Sequence, residues 1–228
     1  MKRYAKNMKA LSEEDMKTLF NSKVCVVGCG GLGGYIIEML GRIGVKYITV
    51  IDGDVFDETN LNRQLISHAG NIGKSKAEEA KKRMKLVNPD VTVNHINEML
   101  DENNAMDLLE GHDVIVDALD NIKTRKILNA FSKKLNIPMV HGAIAGFYGQ
   151  VSTIYPEDNT FNYIYPDNED LNKGIETELG NPSFIPALIA AIEVSEVIKI
   201  LTNKGKLLRN KILLADLLNN NFDIVEFK

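Results

Sequence analysis

Residues 24–34 read Val24-Cys25-Val26-Val27-Gly28-Cys29-Gly30-Gly31-Leu32-Gly33-Gly34, and the fold turns on how this stretch continues. Four apolar residues suited to a buried strand run into a turn with glycine at 28, 30, 31 and 33. Leu32, Tyr35, Ile36, Met39, Leu40 and Ile43 then recur at helical spacing, the mark of a helix packing one apolar face on a sheet. Gly44 ends that helix, and Tyr47–Ile51 reads as a second strand closing on Asp52. This order is a mononucleotide-binding half: phosphates at a helix N-terminus, and an acidic residue about 20 positions on for the ribose hydroxyls. Within twelve residues of Asp52 come Asn60, Arg63 and Gln64, polar groups suited to a triphosphate rather than to nicotinamide. The expected nucleotide is ATP.

The composition narrows the class further. A chain of 228 residues is long enough for one α/β domain with a substantial core. A net charge of −4 offers no reason to expect nucleic acid as a partner. No basic-then-apolar N-terminal stretch marks a signal peptide, and Cys25, inside a strand, is badly placed for a disulfide with Cys29. A reducing cytoplasm is the expected compartment. Residues 184–201 are apolar, yet Pro186, Glu193, Glu196 and Lys199 would be expensive in lipid. A helix buried in a core or subunit interface is expected there, not a membrane span.

Periodicity predicts the remaining elements. A short helix spans 12–20, with Ser12 as N-cap and Asp15 in the capping-box position. A basic helix spans 74–87 and stops before Asn88-Pro89. Strands are predicted at 24–27, 91–95, 113–118, 138–142 and 150–155, and helices at 101–109 and 122–135. Strands alternating with helices through residue 142 indicate a doubly wound, Rossmann-like, mostly parallel sheet. Residues 156–182 are polar and aperiodic and are expected to form a mobile crossover loop. The 184–201 helix and strands at 211–215 and 222–226, antiparallel on the C-terminal side, complete a single domain over 1–228.

Read together, G-C-G-G-L-G, D-G-D, N-L-N-R-Q, G-K-S-K, D-A-L-D-N and G-A-I-A-G-x-x-G-Q, in this order, resemble the ThiF/MoeB/HesA family over residues 22–226. These proteins are bacterial relatives of the ubiquitin-activating enzymes. The resemblance implies an adenylyltransferase that uses ATP and Mg²⁺. Its substrate would commonly be the C-terminal glycine carboxylate of a small ubiquitin-like sulfur carrier ending in Gly-Gly, in a thiamine, molybdopterin or related sulfur pathway. It also implies a homodimer.

The residues support assignments of their own. Gly28, Gly30, Gly31 and Gly33 let backbone amides approach phosphate oxygens. Asp52 suits the ribose in an ATP or an NAD site alike, while Asp54 only bounds the loop. Asn60, Arg63 and Gln64 are expected on one short turn, where the guanidinium fork matches phosphate oxygens. Lys76, which the family spacing favours over its rival Lys74, opens the basic helix and reinforces the helix-terminus field on an anion. Asp120 follows a strand at the carboxyl edge of the sheet, where a carboxylate suits Mg²⁺. Asn121 contacts nucleotide or caps the next helix, and Arg125 forms a structural ion pair. His68, His95, His112 and His141 show no metal-ligand spacing. Lys6 stands where the family carries an arginine that reaches a neighbouring subunit's ATP.

The chain also departs from the family. The paired C-x-x-C motifs that hold zinc in many relatives are missing, so no structural zinc is expected. Residues 156–182 contain no cysteine, so the output is expected to stop at the acyl-adenylate. Three alternatives remain open: activation of a carboxylate on modified tRNA, an NAD-dependent oxidoreductase, and a non-catalytic nucleotide-binding scaffold.

Overall fold

Short apolar runs become strands of one sheet, with alternate residues feeding cores on its two faces. The structure, a computed structural model, describes residues 2–166 and 176–227. The strands are β1 (Lys23–Val27), β2 (Tyr47–Ile51), β3 (Thr92–Ile96), β4 (Val114–Asp117), β5 (Met139–Ala145), β6 (Tyr148–Ile154), β7 (Lys211–Asp216) and β8 (Asn221–Glu226). Their order is β3-β2-β1-β4-β5-β6-β7-β8. Pairing is parallel from β3 to β5 and antiparallel from β5 to β8, the α/β class expected from the sequence.

The helices are α1 (Glu13–Leu19), α2 (Gly31–Ile43), α3 (Lys76–Val87), α4 (Ala105–Leu109), α5 (Ile122–Leu135), α6 (Thr160–Ile164), α7 (Glu176–Leu179) and α8 (Phe184–Thr202). Val24 and Val26 of β1 face a core with α1, α2, α3 and α8, whereas Cys25 and Val27 face one with α4, α5 and α6. The helix α8 packs on α2, β5 and β6; none of the described helices is long and apolar enough to cross a membrane. Chain order reverses between β1 and β4, so the connections that leave their carboxyl ends run to opposite faces of the sheet and open a crevice.

Several boundaries differ from expectation for local reasons. The basic helix starts at Lys76, not 74, because Ser75 caps it by accepting from the Glu78 N–H. The helix expected over 101–109 starts at Ala105, because the Asp101 carboxylate accepts the Asn103 and Asn104 N–H groups and holds a turn instead. The segment 156–182 is not all loop: it contains α6, anchored by buried Phe161, and α7. The part of the expected mobile loop at 167–175 lies outside the described residues. At the N-terminus, Ser12 and Asp15 form the expected capping box.

Candidate active site

The crevice between β1 and β4 is a cleft of about 500 Å³, of ordinary size for a small-molecule site. The turn after β1 forms its floor. Gly28 has φ +100°, and a Cβ there would lie 2.5 Å from the Ala118 carbonyl oxygen. At Gly33 a Cβ would lie 1.9 Å from the Gly28 carbonyl oxygen. Gly33 does not line the cleft; its role is the close approach of α2 to the turn, a correction to the phosphate-facing reading. Gly30 and Gly31 do line it, at the start of α2, where first-turn N–H groups lack intrahelical partners.

Asp52 leaves β2 at the opposite wall. Its Oδ2 accepts the Cys29 N–H at 2.6 Å and its Oδ1 accepts the Asp54 N–H at 2.8 Å, so it ties the glycine turn to the following loop. Burial pushes its carboxyl above the ordinary value, against the pull of those bonds and of Lys76. Lys76, at the first turn of α3, is nearly buried and lines the cleft, whereas Lys74 is exposed and does not. Its Nζ lies 2.9 Å from Asp54 Oδ2. Asp54 therefore does more than bound a loop: it holds the ammonium in place at a helix end that disfavours a cation.

Arg63 and Gln64 also line the cleft, on a turn in which both of their N–H groups donate to the Asn60 carbonyl. Arg63 Nη1 donates to Thr59 O and to Asn62 Oδ1, and its stem lies against Gly31. Asn60, expected among the nucleotide contacts, is not at the cleft. It is buried, and its Oδ1 accepts the Asp57 N–H at 3.1 Å to close a capping box. Asp120 is exposed at the cleft mouth, beyond β4. Asn121 lines the cleft and caps α5 as well, its Oδ1 accepting the Thr124 N–H at 2.8 Å. Lys6 lies on the N-terminal turns, away from the cleft of its own chain. Among the described residues no cluster of three or more His, Cys, Asp or Glu has metal-holding geometry. Of the carboxylates that line the cleft, Asp52 is engaged by backbone N–H groups and Asp54 by Lys76, whereas Asp120 is exposed at its mouth. A carboxylate there fits Mg²⁺, which takes one or two carboxylates plus phosphate oxygens.

The sequence matches the ThiF family over residues 4–228. This chain belongs to the ThiF family. It is 33% identical over 229 residues to a protein of Haloferax volcanii named SAMP-activating enzyme E1, covering 99% of this chain and 85% of that one. It is 33% identical over 224 residues to a probable adenylyltransferase/sulfurtransferase, MoeZ, of Mycobacterium tuberculosis, covering 96% of this chain but only 57% of MoeZ. The crystal structure of E. coli MccB with AMPCPP and MccA superposes with a TM-score of 0.80 at 21% identity, over 93% of this chain and 66% of that one. That last likeness is one of fold.

At the back of the cleft of this ThiF-family chain lies a buried polar cluster of which the sequence pointed to Arg125, as an ion pair, and to His141, as a histidine without metal-ligand spacing, but not to their meeting. Asp117 ends β4 and is fully buried; in the parallel register it stands beside His141 of β5. His141 Nδ1 is 2.8 Å and Arg125 Nε 3.5 Å from Asp117 Oδ2. Burial opposes a charge on Asp117, but Arg125 and His141 outweigh it and hold the carboxyl below its usual value. Burial pushes the His141 imidazole down, which keeps it neutral at pH 7. Asp117 was legible as the first aspartate of D-A-L-D-N, three residues before the one singled out. Cys25 and Cys29 are buried free thiols whose pKa values burial raises, so neither is poised as a nucleophile.

Proposed function

We propose that this chain is an ATP-dependent adenylyltransferase acting on the C-terminal glycine carboxylate of a small ubiquitin-like sulfur carrier ending in Gly-Gly. One observation carries the reading: Gly30, Gly31, Arg63, Lys76 and Asp120, drawn from four separate parts of the chain, line the same cleft at the switch point of the sheet. In this reading the first-turn amides of α2, the Arg63 fork and the Lys76 ammonium bind the phosphates. Asp52 accepts from the ribose hydroxyls. Asp120 would hold Mg²⁺, which would neutralise the triphosphate as pyrophosphate departs.

The chemistry asks little of acids and bases. A glycine carboxylate is already ionised at neutral pH and attacks the α-phosphorus directly. The chain's task is alignment and neutralisation of developing charge. The absence of cysteine from residues 156–182 supports an output that stops at the acyl-adenylate. Membership of the ThiF family and the names of the two relatives support this class of reaction. The whole chain would form one adenylation unit, acting as a homodimer in the cytoplasm.

Exchange of labelled pyrophosphate into ATP tests the proposal. Exchange should require the carrier and be abolished in Asp120→Ala. Exchange that depends on tRNA instead, or NAD binding tighter than ATP, would overturn it.

A further inference from the structure

At the back of the cleft, four side chains close a ring of polar contacts to which the proposed adenylation assigns no role; of the four, Arg125 lines the cleft and Asp117, His141 and Tyr165 lie behind it. Arg125 Nη1 donates to the Tyr165 hydroxyl at 2.6 Å, and the guanidinium carbon lies 5.6 Å from the centre of the Tyr165 ring. The Tyr165 oxygen is 3.4 Å from His141 Nε2, and His141 Nδ1 is 2.8 Å from Asp117. Asp117 returns to Arg125 at 3.5 Å. An ionised Asp117 only accepts, so the neutral imidazole carries its proton on Nδ1 and presents Nε2 as an acceptor, shared between the Tyr165 hydroxyl and the Gln150 amide at 3.3 Å.

Two further bonds join this ring to the segment that carries Asp120. Asp117 Oδ1 accepts the Leu119 N–H at 3.1 Å, and Arg125 Nη2 donates to the Leu119 carbonyl. Asp120 itself is exposed, so its place is set by its neighbours rather than by packing. Tyr165, at the far side of the ring, follows α6 directly, where the chain sets out on the crossover to α8.

We infer that Tyr165 is a positioning residue: through Arg125 and Asp117 it fixes the Leu119-Asp120-Asn121 segment at the triphosphate. The inference rests on the reading of Asp120 as the carboxylate of a metal–triphosphate site. It assigns to the start of the crossover a part in nucleotide alignment, besides linking two halves of the fold. Displacements of about 1 Å in such a site are enough to cost a large share of the rate.

Tyr165→Phe tests it with little disturbance of packing, because the ring still contacts His141 and Phe161 edge-on or tilted. In the nucleotide-free full-length chain, hydrogen exchange over residues 117–122 should accelerate about tenfold, the equivalent of one net hydrogen bond. Tyr163→Phe, two residues earlier on α6 and stacked on Phe227, should leave that exchange unchanged. In pyrophosphate exchange, Tyr165→Phe should raise the Mg²⁺ concentration for half-saturation several-fold. Arg125→Lys, which keeps the charge and removes the fork, should loosen the same segment. Wild-type exchange rates at 117–122 in Tyr165→Phe overturn the positioning role, whatever the activity and whatever Arg125→Lys does, since Arg125 also bonds the Leu119 carbonyl directly. A wild-type chain that fails to exchange pyrophosphate counts instead against the functional reading.

Discussion

Glu193 projects from α8 into the sheet and is fully buried, and its two carboxyl oxygens have no hydrogen-bond partner among the described residues. It fills the space a side chain at Gly142 would need, since a Cβ there would lie 2.4 Å from its Cδ. Burial pushes its carboxyl well above the ordinary value, Asp117 adds to the shift and Arg125 opposes it. The native state thus keeps a proton that the unfolded chain loses near pH ~4.3, and stability falls by about 1.4 kcal/mol per pH unit from there up to the native pKa. Glu193→Gln has no such proton to lose. Urea unfolding at pH 5, 6 and 7 should show the variant gaining on wild type as pH rises; a pH-independent difference would refute the assignment. At this scale the sequence was only partly legible. Glu193 read as a charge that argued against a membrane span, and nothing in its neighbours along the chain announces an uncompensated acid.

The β1–turn–α2 element separates two duties that its glycines appear to share in the sequence. Gly33 is a steric requirement between backbone atoms, with no flexible side chain to yield. Gly33→Ala should cost about 3 kcal/mol or more, visible as a lowered midpoint in chemical denaturation. At Gly31 a Cβ would meet its nearest neighbours at 3.7 and 3.8 Å, which are ordinary contacts, and the backbone is helical. Gly31→Ala should leave the midpoint nearly unchanged but crowd the phosphate approach. Titration with a fluorescent ATP analogue should show affinity weakened about tenfold, or ~1.4 kcal/mol. If the two variants instead behave alike in both assays, the division of roles fails.

Across the whole molecule, the cleft is assembled from the ends of β1, β2 and β4, the start of α2 and α3, and the turn at 63–64, while α8 packs against α2 from behind. A ligand held by so many elements stabilises the folded chain as a unit. At a concentration 100 times its Kd, ATP with Mg²⁺ should contribute about 2.7 kcal/mol, which for a chain this size raises Tm by about 5–10 °C. NAD at the same concentration should produce no comparable shift. Calorimetry distinguishes the two, and a larger shift with NAD would favour the oxidoreductase reading.

By itself the sequence determined what short-range physics controls. The two-residue pleat, the 3.6-residue turn, the Ser12 and Asn121 caps and the glycine turn all act within one element, so strands, helices and the doubly wound order followed from local pattern. So did the presence of Arg63, Lys76 and Asp120 as charged groups beside a nucleotide turn. Only the tertiary structure decided which groups meet. Lys76 finds Asp54 22 residues away, Asp117 finds His141 24 away, and Arg125 finds Tyr165 40 away. It also turned Asn60 inward, onto its own turn and away from the cleft. These pairings depend on strand register and on where each connection re-enters the sheet, quantities set by packing over the whole chain rather than by any stretch of it.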